Sequence, residues 1–182
     1  MHFFELHYQS IIKYDFYNKF FLKSVKDIPK LRKIILNFSL KDEPNLIRSL
    51  SFLSVLELIS FQKGKLTSSN VSNITFKIQK GNPVGCKVVL RKYLMYSFLS
   101  KLVLQILPNL NQFEGIRFSL LAKNSLSFKI KKILLFPELL NQYELFKNIS
   151  FLHITLVGSM KNINKLFYLL RSFRLPLNKV TS

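Results

Sequence analysis

The fold turns on Phe76-Lys77-Ile78-Gln79-Lys80-Gly81-Asn82-Pro83-Val84-Gly85-Cys86-Lys87-Val88-Val89-Leu90-Arg91. From Ile74 to Lys80 the chain alternates: Ile74, Phe76 and Ile78 fall on one side, Thr75, Lys77 and Gln79 on the other. Val84 to Arg91 alternates again, with Val84, Cys86, Val88 and Leu90 against Gly85, Lys87, Val89 and Arg91. Gly81, Asn82 and Pro83 between them have turn chemistry. Two period-two segments around a turn predict a pair of half-buried antiparallel strands.

On either side of this pair, the same patterns predict alternating helices and strands. A helix is expected over residues 6–22, with Leu6, Ile11, Ile12, Phe16 and Phe20 on its stripe, and Pro29 separates it from the next segment. A strand runs from Arg32 to Ser39, with Ile34, Leu36 and Phe38 opposed to Lys33, Ile35 and Asn37. Pro44 opens a helix over residues 45–59, with Leu46, Leu50, Leu53 and Leu56 or Glu57 on one face. Residues 62–73 are polar and read as a loop or an irregular edge strand. Residues 93–107 form the clearest helix, with Met95, Phe98, Leu99, Leu102, Val103 and Ile106 as its stripe and Pro108 as its end. Weaker strands come next at 116–121 and 126–133, and Phe136-Pro137-Glu138 ends them. Residues 151–157 form a last strand and 161–171 a last helix. No repeat or linker divides the chain. The expectation is one α+β domain over residues 1–182, with an antiparallel sheet covered by helices on one face and a core from about 30 to 175.

The 182 residues carry 28 basic against 9 acidic side chains, a net charge of +19. A folded domain so charged repels itself, and a polyanion relieves that repulsion. The longest stretch without a formal charge, Asn148 to Met160, is well short of the roughly 20 apolar residues of a membrane span. A single cysteine, Cys86, excludes an internal disulfide and a multi-cysteine zinc site. It falls on the apolar side of its strand and reads as a buried structural thiol. His153 has no partner at a catalytic spacing, and Gly81 to Gly85 is not followed by the Lys-Ser/Thr of a phosphate-binding loop. No acid–base pair, nucleophile triad, metal cluster or cofactor motif assembles, so a non-catalytic protein with no cofactor is expected.

With the apolar strand sides turned to the helices, the opposite face carries Lys33, Asn37, Thr75, Lys77, Lys87, Arg91, Lys129, Lys131, His153 and Thr155, and no carboxylate. Cations bind phosphate oxygens, and Asn and Thr hydrogen-bond sugars and base edges. The polar segment Gln62-Lys63-Gly64-Lys65, with Thr67 to Asn73, is placed to reach further phosphates. A solvated face with lysines for solubility shows the same alternation. So does a basic peripheral membrane or protein-interaction module on anionic lipid, for which the last helix, with Lys161, Lys165 and Arg171, is the natural contact. One alanine, no tryptophan and an excess of Phe, Leu, Ile, Lys, Asn and Ser indicate an A+T-biased, organellar gene. Glu5 and Asp15 inside the first apolar segment do not suit an acid-free targeting presequence.

Residues 76–91 resemble the signature F-K-I-R-x-G-x-P-I-G-C-K-V-T-L-R of large-subunit ribosomal protein five in its bacterial-type form. Further matches occur in order: Ile28-Pro29-Lys30 leading to Ile34-Ile35-Leu36-Asn37, Ile59-Ser60-Phe61-Gln62-Lys63, Leu107-Pro108-Asn109 to Phe113-Glu114-Gly115, Phe136-Pro137-Glu138 and Ile154-Thr155-Leu156. The resemblance implies an α+β protein of the central protuberance of the large ribosomal subunit. It implies binding to large-subunit rRNA and, where the organelle has it, 5S rRNA. It also implies an approach to P-site tRNA, a bridge to small-subunit ribosomal protein thirteen and contacts with neighbouring large-subunit proteins. With the organellar composition, the expected setting is a mitochondrial ribosome rather than a plastid one. Asn37 and Gln62 match positions that hydrogen-bond 5S rRNA. Lys33, Lys63, Lys65, Thr67, Thr75, Lys77, Lys87 and Arg91 are the other expected RNA contacts. Asn73, Lys80 and Asn82 belong to the loop of about Val71 to Gly85 that matches the tRNA-proximal segment. Val89 stands for a usual Thr, Gly64 for a Pro and Phe61 for a Gly, and Leu121-Ala122-Lys123-Asn124-Ser125 replaces a Gly-rich hairpin tip.

Overall fold

The computed structural model describes residues 3–22, 24, 27–39, 46–75, 77–110, 114–118, 124–146, 149, 151–160 and 162–179. The expected helix opening at Pro44 and Asn45, Phe76, the end of the expected strand at 119–121, residues 121–123 of the hairpin tip and Lys161 lie outside them. The fold is α+β, with an antiparallel sheet and helices. The elements are α1 (Phe3–His7 and Lys13–Phe20, joined by a π-helical turn at Tyr8–Ile12), β1 (Leu31–Ser39), α2 (Leu46–Ser60), β2 (Lys65–Ser68), β3 (Pro83–Leu90), α3 (Lys92–Lys101, continued by a π-helical turn at Leu102–Ile106), β4 (Ile116–Phe118), β5 (Ser125–Ile130), α4 (Tyr143–Phe146), β6 (Leu152–Gly158), α5 (Ile163–Ser172) and β7 (Leu177–Lys179). Among the described residues five strands form a sheet in the order β2-β3-β1-β6-β5, and β4 pairs with β7 in parallel. The chain divides into two compact units that interleave in sequence. One comprises Met1–Ile34, Arg91–Phe128 and Thr155–Ser182; the other comprises Ile35–Leu90 and Lys129–Ile154.

In the first unit, α1 buries Phe4, Tyr8, Ile12 and Phe16. This corrects the expected stripe, because Leu6 and Ile11 are exposed. Residues four apart drift by about 40° per step on an ideal α-helix. The π-helical turn takes more residues per turn and brings the four side chains back into line. Phe4 and Tyr8 meet the ring of Phe173, and Phe16 meets Tyr168 edge-on at 4.9 Å. The Tyr8 hydroxyl donates to the carbonyl of Pro29 at 3.0 Å, so the buried phenol has a partner. Burial pushes its pKa up to about 12. The helix stops at Phe20 rather than at residue 22, because Phe21 turns into the left-handed region at φ 43°. On α3 most of the expected stripe holds: Met95, Phe98, Leu99, Leu102 and Ile106 are buried and Tyr96 joins them, while Val103 is only half-buried.

In the second unit, α2 packs across β3 and brings Phe52 to within 5.2 Å of Phe38. Its buried face is Ser49, Phe52, Val55, Leu56, Ile59 and Ser60. The expected face is therefore rotated, and Leu46 is 58% exposed. A helix that is apolar almost all round does not specify its inner side by pattern. Buried Ser49 and Ser60 are small, which suits close packing on that side. Along the strands of both units the expected alternation holds, except that Val84 of β3 is only half-buried. Ile34, Leu36 and Phe38 of β1, Cys86, Val88 and Leu90 of β3, and Leu152, Ile154 and Leu156 of β6 are all buried.

Among the described residues of 74–80 the expected strand does not form. Lys65 to Ser68 takes the place beside β3, which is already paired with β1 on its other edge, so no edge remains for residues 74–80. The Asn73 carboxamide oxygen accepts the backbone N–H and the hydroxyl of Thr75 and curls the chain. Lys77, at φ 51°, donates its N–H to the Ile74 carbonyl. Ile74 ends 94% exposed rather than on a buried face.

Candidate nucleic-acid interface

The second unit assembles a cationic sheet face from alternate strand residues. Phe38 and Val88 lie on the side covered by α2, since Phe38 meets Phe52 and a side chain at Gly64 would meet both Leu53 and Val88. The next residue on each strand points away from α2. Asn37 of β1, Lys87 of β3, and Lys65 and Thr67 of β2 therefore share the open face; Asn37, Lys65 and Lys87 are exposed and Thr67 is half-buried. Lys65 stands directly opposite Lys87 in the strand register, and Thr67 opposite Gly85. Gly85 is required there, because a Cβ would collide with the Phe38 carbonyl oxygen. The described strands carry no carboxylate.

Lys129 and His153 extend this set. The Lys129 ammonium lies 6.0 Å from the centre of the Phe151 ring. Partial burial, and then the charge of Lys129, lower the pKa of His153. Its imidazole is therefore neutral at pH 7, able to donate and accept one hydrogen bond each. Lys131 is exposed just past β5. Lys33, Arg91 and Thr155 fall in the first unit; Arg91 is exposed at the start of α3, and Thr155 shares a hydrogen bond with Ser127 at 3.0 Å.

Two segments flank the face within the second unit. Behind α2, Phe61 adopts φ 53°, and its N–H donates to the Glu57 carbonyl. The Ser60 hydroxyl and the Gln62 backbone bond each other, and a Glu57 carboxylate oxygen accepts the Gly64 N–H at 3.0 Å. Gln62 and Lys63 are thus held in place by Ser60 and Glu57, two residues that sequence reasoning missed. Their signal was a Ser and a Glu in the last turn of a helix, where they can reach the chain beyond it.

The second segment, residues 69–82, is clamped at its base. Ser69 donates to the Asn82 carbonyl, Gly81 at φ 93° donates to the Ser69 carbonyl, and Asn73 and Ile78 exchange two backbone bonds further out. Asn73, Thr75, Lys77 and Lys80 are exposed along it, and Asn82 is half-buried at the base. Thr75 and Lys77, expected on the sheet face, belong instead to this projecting loop, because they sit in its turn and not in a strand.

Cys86 is fully buried, and burial raises its thiol pKa to about 12. It is the inert structural thiol expected from its side of the strand.

Residues 83–177 match the family model for the C-terminus of the ribosomal L5 family. The chain belongs to the L5 family of ribosomal proteins. Similarity extends well beyond that segment. Large ribosomal subunit protein uL5m of Reclinomonas americana is 38% identical over 95% of this chain and 96% of its own. Large ribosomal subunit protein uL5 of Mycoplasma pneumoniae is 34% identical over 95% and 96%. Large ribosomal subunit protein uL5c of Tetradesmus obliquus is 36% identical over 88% and 89%. As an L5-family member the chain is a non-enzymatic structural component of the large ribosomal subunit. Its relatives include organellar forms. Among the described residues no helix is long and apolar enough to cross a membrane.

Proposed function

We propose that this L5-family chain docks the open sheet face of its second unit on rRNA in the central protuberance, with 5S rRNA and the large rRNA as ligands. The observation that carries this is the direct cross-strand pairing of Lys65 with Lys87. Like charges in that position destabilise a sheet. Among the described residues neither lysine has a carboxylate partner. Phosphates supply the missing counter-charge, and Asn37, Thr67 and Gln62 supply hydrogen bonds to sugars and base edges. Lys33 and Arg91 of the first unit contribute further phosphate contacts. The clamped 69–82 segment, with Asn73, Thr75, Lys77, Lys80 and Asn82, approaches the P-site tRNA. A bridge to small-subunit ribosomal protein thirteen and a mitochondrial ribosome complete the reading, in which the whole chain serves as one ribosomal domain. The resemblance of residues 76–91 to the family signature supports these finer assignments.

The test is a gel-shift titration of the full chain with 5S rRNA from the same organelle, alongside Asn37→Ala and Gln62→Ala. Each variant is expected to weaken the complex by about 0.5–1.5 kcal/mol, roughly two- to tenfold, without loss of fold by circular dichroism. Unchanged affinity in both would remove 5S rRNA from the face. Sequencing the RNA that co-purifies with the tagged protein identifies the strand bound.

A further inference from the structure

The first unit contains a cleft of about 570 Å³, within the range of small-ligand sites, that the sheet-face reading does not use. Its walls include Phe20, Phe21, Lys30, Arg32 and Lys165. Phe21 is the unusual member. It sits just past α1 at φ 43°, a conformation that is rare for a bulky side chain and that glycine adopts without strain. The residue is 88% exposed, so its side chain contributes almost nothing to the core. The left-handed turn ends α1, but the exposed ring that it presents adds no packing to the isolated chain.

Among the described residues, three cations line the same cleft as Phe21. Lys30 is fixed at its backbone: it donates its N–H to the Ser159 hydroxyl at 3.1 Å, and its carbonyl accepts the Ser159 N–H at 2.9 Å. Arg32, two residues on and exposed, falls on the same side of the extended chain. The Lys165 ammonium lies 5.7 Å from the centre of the Phe20 ring. Asp27, the one carboxylate lining the cleft among the described residues, accepts a hydrogen bond from the Ser24 hydroxyl at 2.7 Å and forms no ion pair with these three cations. The ten-residue helix α5 begins here after Asn162, whose side chain does not cap it, and the positive end of its dipole adds to the same field.

An aromatic face next to clustered cations is the chemistry of single-stranded RNA binding: base on ring, phosphate on cation. We propose that this cleft receives one unpaired RNA nucleotide, its base stacked on Phe21 and its phosphate among Lys30, Arg32 and Lys165. The inference rests on the reading of the chain as an rRNA-binding protein and adds a second, separate contact to it.

The chain has no tryptophan, so Phe21→Trp places a single fluorescent ring at the cleft. The full-length variant is titrated with the hexaribonucleotide of adenosine and with an abasic hexamer of equal charge. Saturable quenching by the first and not by the second is expected. Phe21→Gly removes the ring and suits the left-handed backbone, so it keeps the fold. It is expected to raise the thermal midpoint while weakening binding of a dye-labelled adenosine hexamer, followed by the label's anisotropy, roughly fivefold or more relative to wild type. Arg32→Gln is expected to lower the slope of log affinity against log salt by about 0.7. Equal quenching by the abasic hexamer, or wild-type affinity in Phe21→Gly, would overturn the cleft. Asn37→Ala, run in parallel on rRNA, separates the two readings: wild-type rRNA affinity there counts against the sheet face alone, because the indole signal reports only the cleft.

Discussion

The two faces of β3 obey different rules. Cys86, Val88 and Leu90 are sealed beneath α2 and neighbouring side chains, where each position is set by packing. Lys87, one residue out of phase, is exposed and faces Lys65 across the strand pair. The inner face is explained by folding. The outer face works against folding, because two lysines repel each other where an uncharged pair would not. A cost retained on one side of a well-packed strand points to a ligand on that side.

The most severe perturbation lies where the two faces meet. Gly85 belongs by alternation to the outer face but is buried, with the Phe38 carbonyl oxygen where a Cβ would need room. Gly85→Ala is expected to part β1 from β3 and to destabilise the protein by about 3–5 kcal/mol in urea denaturation. A loss below about 1 kcal/mol would show that the outer face begins at residue 85 after all.

Smaller in stability, and opposite in sign, is the double change Lys65→Gln with Lys87→Gln. It is expected to stabilise the fold by up to about 1 kcal/mol. The same double change should reduce the salt slope of rRNA binding by about 0.7–0.9 per lysine. A destabilised double variant would mean that these lysines serve the fold and would erase the contrast between the faces.

The mildest change concerns His153, whose pKa is lowered, first by burial and then by Lys129. Its NMR titration in the free protein is expected below the ordinary value of 6.5. The folded state then binds fewer protons at this ring than the unfolded chain does. Its contribution to stability is complete above the ordinary value and is lost as pH falls through the folded pKa. Docked phosphate favours the imidazolium, so adding rRNA should move the midpoint upward. A midpoint unmoved by RNA would place His153 outside the interface.

Legibility divides along the same line. On β1, β3 and β6 the alternation named the inner residues, because a strand with one buried face leaves only one register that hides its apolar set. Asn37 and Lys87 were placed on the outer face by that logic alone. α1 and α2 were recognisable as helices, but their inner sides were misassigned. In α1 the π-helical turn changes the period that the pattern assumes, and in α2 leucines on every side remove the contrast. Residues 74–80 misled for another reason: alternation describes a segment's capacity to pair, and β3 had no edge left to offer. The parallel pairing of β4 with β7 joins segments some sixty residues apart and left no local sign.

Residue type and a period of two were enough to establish the strand faces, the absence of carboxylates among the outward cations and the excess of positive charge. None of these depends on how distant parts of the chain meet. Packing settled the rest: that Lys65 meets Lys87, that Glu57 and Ser60 hold Gln62 in place, and that Phe21, Lys30, Arg32 and Lys165 surround one cleft. Such contacts join residues from separate elements, and their distances follow from how those elements are stacked rather than from any local pattern.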